Sequence, residues 1–178
     1  MIRKLLRFII IIGVLLLCLY FVLNHLFPME HKETVEKYSN EYSVDSNLIY
    51  AVIKAESNFN KDAVSHAGAN GLMQITDETA LWISEQLNIE NFDVYTLSEP
   101  DTNINFGVWY LSYLIDEFES TDLAILAYNA GANKVKSWIL ENTINRDNIE
   151  IENIPYPETK IYLTKVKLYR KIYEILYK

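Results

Sequence analysis

The chemistry this chain can perform narrows to one residue in the stretch AESNFNKDAVSHAGANGLMQIT, residues 55 to 76. Glu56 ends an apolar run and is followed by Ser57, by a loop of small and polar residues, and by two glycines and an amide. A carboxyl group in such a place can lose its solvent, which raises its pKa towards the range a general acid needs at neutral pH. Other chemistries lack their residues. His25 and His31 flank an apolar N-terminal segment, which leaves His66 alone in the remainder and no HExxH-type pair. No metal and no other cofactor is expected. Cys18, the one cysteine, lies inside the apolar segment, the serines have no GxSxG elbow, and GANGLM is not a phosphate loop. Carboxylate chemistry remains, with no second acid at an obvious catalytic spacing.

The elements that must position Glu56 read as helices. Asp45 is an N-cap candidate for a segment whose residues Leu48, Ile49, Val52, Ile53 and Ala55 recur at helical spacing and which ends at Glu56. Thr76 caps a second segment, with Asp77 and Glu78 in its first turn, running to about Leu87. After the loop NIENFDVYTLSEPDT, Ile104, Val108, Leu111 and Ile115 share a helical face, and Gly107 allows close approach of a neighbour. Thr121 or Asp122 caps LAILAYNAG, Gly131 stops it, and ANKVKSWILEN is a further short helix. Two prolines in NIPYPETKIYLTKVKLYRKIYEILYK precede a long amphipathic helix. No strand is required, so the fold class is all-α. Trp82, Trp109 and Trp138 fall within helical patterns and are assigned to the core.

The N-terminus carries Arg3, Lys4 and Arg7 before the run FIIIIGVLLLCLYFVL, and Pro28 closes the segment. This is a single transmembrane helix by length, and the basic flank keeps that end cytoplasmic, which puts the rest of the chain outside. A cleaved signal peptide is the competing reading, but no small-x-small site follows the run, so an uncleaved anchor is expected. The chain then divides into an anchor over 1–28, a short stalk or first helix over 29–44, and a catalytic domain over 45–178. If 29–44 is a stalk, the domain begins about 17 residues beyond Pro28, a reach of roughly 56 to 61 Å when extended and ~25 Å when helical. The whole chain of 178 residues has a net charge of -8, which argues against a nucleic-acid partner.

Five words in order, ESNFN, SHAGANGLMQIT, NINFGVWYL, AYNAG and IPYPETKIYL, resemble the lytic transglycosylases with a goose-lysozyme-like catalytic domain. The likeness spans roughly Asp45 to Val166. It implies a lysozyme-like helical domain in which Glu56 is the catalytic acid and Ser57 its partner in the motif. Ser65, Gly68, Ala69, Gly71, Leu72, Met73 and Gln74 match the segment lining the glycan groove, Tyr128 and Asn129 the groove wall, and Glu158 a second acid at the groove edge. Thr76-Asp77 stands where the family commonly has Met-Pro, a departure at one sugar subsite.

The resemblance implies cleavage of the bond between N-acetylmuramic acid and N-acetylglucosamine in peptidoglycan, closing a 1,6-anhydro ring and consuming no water. One carboxylate suffices for that reaction, because the substrate supplies its own groups. A hydrolytic muramidase, or a non-catalytic wall-binding scaffold, would use the same constellation. The implied partners are peptidoglycan strands, the membrane through the N-terminal helix, and a cell-envelope assembly machine that needs the wall opened.

Overall fold

The computed structural model describes residues 2–177. Helix α1, Ile2–Leu26, is apolar on every side, and none of its residues is buried in the protein. At ~1.5 Å per residue its 25 residues exceed the ~30 Å thickness of a bilayer core.

The rest folds around α3, Ser46–Glu56, in which six consecutive residues, Leu48 to Ile53, are buried. A helix buried on all sides must be central, and α3 packs chiefly on α8, Pro157–Leu176. The two run antiparallel: Asp45, the N-cap of α3, pairs with Arg170 at 2.8 Å, while Lys165 donates to the carbonyl of Ala55 at the other end of α3. Helix α5, Pro100–Phe118, packs on α2, Lys32–Tyr42, and on α6, Thr121–Ala130. Helices α4, Asp77–Gln86, and α7, Ala132–Leu140, close the periphery.

The expected caps at Asp45 and Thr76 form, accepting from Asn47 N at 3.0 Å and Thr79 N at 3.2 Å. Other local expectations need correction. The cap of α6 is Ser120, which accepts from Leu123 N, and not Thr121 or Asp122. Helix α5 begins at Pro100, inside the expected loop, because a proline at the first helical position loses no bond. Two short strands also occur, β1 at Ala69–Asn70 and β2 at Ile75–Thr76, paired antiparallel around the glycine-containing loop. They serve to shape that loop and leave the architecture all-α.

Residues 29–44 contain a helix and not an extended stalk. Val35 and Tyr38 of α2 are buried in the same core as α3, and the Tyr38 hydroxyl donates to Asp101 of α5. Apolar residues placed one turn apart had only this core in which to bury themselves.

Candidate active site

Glu56 is the last residue of α3 and sits half-buried where the start of α8 and the 71–74 loop meet that helix end. Tyr162 of α8, itself buried, donates its hydroxyl to Glu56 Oε1 at 2.6 Å. Burial pushes the Glu56 carboxyl up from 4.5 to about 7, against the opposing pull of the Tyr162 hydrogen bond and the Lys165 charge. Tyr128 and Tyr162 are both raised well above the ordinary tyrosine range, first by burial and then by the nearby Glu56 carboxylate. Both phenols therefore stay neutral donors beside the acid.

The loop carrying Gly71 to Gln74 is held against this site by its backbone. Ser57 Oγ donates to Leu72 O at 2.8 Å, and Tyr128 Oη donates to Met73 O at 2.9 Å. Leu72 and Met73 were expected to line the groove, but their side chains are fully buried at 0% exposure. Apolar side chains beside a half-buried acid go to the core, and only the carbonyls face the site's own side chains. Gln74, at φ 50°, spends both amide donors on the carbonyls of Ala63 and Gly71. Ser65 accepts from Ala69 N at 3.0 Å and closes the turn that contains Gly68. Ser57, Ser65 and Gln74 thus brace the loop.

Asn103, to which the sequence assigned no role, is the loop's main fastening. It is 1% exposed, accepts from Met73 N at 2.7 Å, and donates to Asn70 O and Leu97 O at 2.9 Å each. Gly71 lies so close that a Cβ there would stand 2.7 Å from Asn103 Cγ and 2.9 Å from Leu97 O, and its φ of +78° also favours glycine. Gly107 does admit a neighbour, and the neighbour is Met73, whose Cβ would be 2.6 Å from a Cβ at position 107.

Asn129 is exposed at the end of α6 and accepts from the buried Thr159 hydroxyl at 2.7 Å, which ties the AYNAG and PET segments together. Glu158 is exposed in the first turn of α8, one turn before Tyr162 and so on the same side of the helix. A groove of about 650 Å³ is lined by Trp82, Tyr110, Tyr113 and Gly131. Tyr110 packs on Tyr128 with ring centroids 5.5 Å apart, which joins one wall of the groove to a tyrosine beside the acid. Of the tryptophans assigned to the core, Trp138 is buried at 4% exposure, Trp109 is partly buried against the core, and Trp82 packs partly buried against it and also lines the groove.

This arrangement can deliver a proton from Glu56 to a ligand atom and take one back. Comparison with known proteins points the same way. Residues 33–151 match the family model described as the transglycosylase SLT domain. The chain is 32% identical over 154 residues to the soluble lytic murein transglycosylase of Salmonella typhimurium, covering 85% of this chain and 24% of that protein. It is 34% identical over 176 residues to membrane-bound lytic murein transglycosylase C of Klebsiella pneumoniae, covering 84% of this chain and 48% of that one. The crystal structure of the 70 kDa soluble lytic transglycosylase of Escherichia coli superposes with a TM-score of 0.79 at 30% identity, over 86% of this chain and 25% of that one. The inactive Glu-to-Gln mutant of lytic transglycosylase Slt from Pseudomonas aeruginosa does so with a TM-score of 0.76 at 33% identity, over 86% and 25%. The chain thus spans between about a quarter and a half of the length of these relatives. The match over 33–151, more than half of the chain, and the lysozyme-like structure together show that it belongs to the SLT transglycosylase domain family.

Proposed function

We propose that this domain is a peptidoglycan lytic transglycosylase in which Glu56 is the sole acid and base. The observation that carries this reading is the half-buried Glu56 carboxyl at the end of α3, hydrogen-bonded by the Tyr162 hydroxyl at 2.6 Å, with burial pushing its pKa up to about 7 and no carboxylate among the groups acting on it. A two-carboxylate glycosidase needs a second acid to serve as nucleophile or to activate water. With one carboxylate we take the nucleophile from the substrate, whose own groups stand in for the missing second acid.

In the first step Glu56 gives its proton to the oxygen linking N-acetylmuramic acid to N-acetylglucosamine. The bond from C1 to that oxygen breaks, and the N-acetyl carbonyl supports the cationic sugar. In the second step the C6 hydroxyl oxygen bonds to C1 and its proton passes to the Glu56 carboxylate. The acid is restored, no water is consumed, and the product ends in a 1,6-anhydro ring. Tyr162 orients the carboxyl by its hydrogen bond, and Tyr128 holds the Met73 carbonyl. Ser57 keeps the loop against α3. Glu158, Asn129 and the Trp82–Tyr110–Tyr113 wall would contact glycan on either side of the broken bond.

We further read α1 as a retained single-pass anchor that leaves the domain outside the cytoplasm. Its length, its apolar surface and the basic residues before it support this, as does the membrane-bound relative. Clearing glycan for an assembling envelope machine is a role that suits such a protein. Mass spectrometry of products from purified peptidoglycan tests the chemistry, since an anhydro end is one water lighter than a hydrolysed end. Products carrying that extra water would assign the domain to hydrolysis.

A further inference from the structure

Helix α8 touches the acid near one end and the exit of α1 near the other. Eleven residues beyond Tyr162, Tyr173 donates its hydroxyl to Pro28 O at 3.0 Å, and Tyr177 donates to Phe27 O at 2.6 Å. Both accepting carbonyls lie just past the last residue of α1, so these two hydroxyls bind the chain where α1 ends. The Phe27 ring is 7% exposed, edge-on to Tyr169 at 5.2 Å and to Tyr173 at 5.6 Å, with the Lys54 ammonium 5.4 Å from its centroid. Tyr173 in turn stacks on Tyr50 of α3 at 5.3 Å, so the clamp is part of the core.

Little slack remains between α1 and the domain. Residues 27–31 separate α1 from α2, the first two are clamped, and α2 is already packed in the core. From Tyr162 to Tyr173 the helix rises about 16 Å, which leaves Glu56 on the order of 20 Å from the exit of α1 whatever the tilt of α8. A free, extended stalk over residues 29–44 would have allowed more than twice that distance.

We propose that this aromatic clamp seats the catalytic domain on the membrane surface and that its substrates are glycan strands lying against the bilayer, those still lipid-linked at one end. The proposal rests on α1 being a retained anchor and on Glu56 being the acid. Its recognition element is position: strands held by a lipid are brought to the groove, and layers of wall further out are beyond reach.

The test uses the full chain in vesicles that also hold lipid-linked glycan polymer, and reads the length of the lipid-bound stubs left after cleavage. Two variants each receive the same flexible 20-residue Gly/Ser insertion, with a mean reach of about 25 Å. Inserted between Leu26 and Phe27, it separates the anchor from the clamp and should lengthen the stubs about twofold. Inserted between Pro28 and Met29, it leaves the clamp seated and should leave the stubs as short as those of the unmodified chain. Equal stubs in all three proteins, or lengthening by both insertions, would overturn the proposal. Cleavage of soluble glycan strands, expected to be equal in all three, reports that each is folded. Failure of the unmodified chain to cleave soluble strands would remove the catalytic reading, and loss of intact protein from the vesicles would remove the anchor, and either would take the proposal with it.

Discussion

The hydroxyl of Tyr162 reaches Glu56 Oε1 across 2.6 Å and 106 positions of sequence, and it opposes the burial that raises the acid. The contact keeps the carboxyl aimed while preventing its pKa from rising further. Replacing Tyr162 by Phe should therefore move the pKa of Glu56 upwards. Wild-type activity is expected to fall as pH rises through about 7, because the proton donor is lost there. In Tyr162→Phe that descending limb should lie at higher pH, with a maximal rate about tenfold lower from the lost hydrogen bond. A pH–rate profile on soluble strands checks both, and an unmoved limb would mean that Tyr162 does not act on the acid.

Glu56→Gln should abolish cleavage and stabilise the fold. The folded carboxyl has its pKa raised above the ordinary value, so protein stability is fully present below about 4.5 and is lost as pH rises through about 7. The amide does not ionise. The variant should match wild type below pH 4.5 and exceed it above pH 7 by up to about 3 kcal/mol, at ~1.4 kcal/mol per pH unit. Thermal unfolding at pH 4 and pH 8 measures the gap.

Asn103→Ala should cost about 2 to 4 kcal/mol, because it leaves the buried Met73 N–H and two carbonyls without a partner. Gly71→Ala should also destabilise, since its Cβ would press on Asn103. The two losses should be less than additive in the double variant, where truncation of the Asn103 side chain vacates the space that the new Cβ needs. Denaturant titration of the four proteins gives the coupling.

Trp82→Ala should raise KM for long glycan strands by up to about tenfold with little change in kcat, as expected for loss of one ring contact of ~0.5 to 1.5 kcal/mol. Equal effects on the shortest cleavable strand and on long ones would place Trp82 in the fold alone.

What the sequence disclosed follows the range of the forces involved. Asp45 and Thr76 were readable as caps because each binds backbone within three residues of itself. Ser120 was harder to find, since three adjacent residues could all cap and the geometry of the turn chose among them. Asn103 and Tyr162 stood inside quoted motifs without a role, because their partners lie 30 and 106 residues away. For Leu72 and Met73 a motif match brings a residue to a site but does not say which of its atoms faces it. Trp82 fitted a helical pattern, and its exposure depends on a gap between α4 and the α6–α7 junction that periodicity cannot express.

The burial of Met73 against Gly107 also sets the chemical durability of the loop. A thioether at 0% exposure is shielded from oxidants, whereas its sulfoxide is bulkier and polar and would not fit where even a glycine Cβ is excluded. Oxidation of Met73 must then wait for the loop to open, and its rate under mild peroxide becomes a clock for that opening. Met29, only partly buried beside the clamp, should be oxidised first. The accessible sulfur of Met29 then serves as the reference against which breathing of the wall beside the acid is timed.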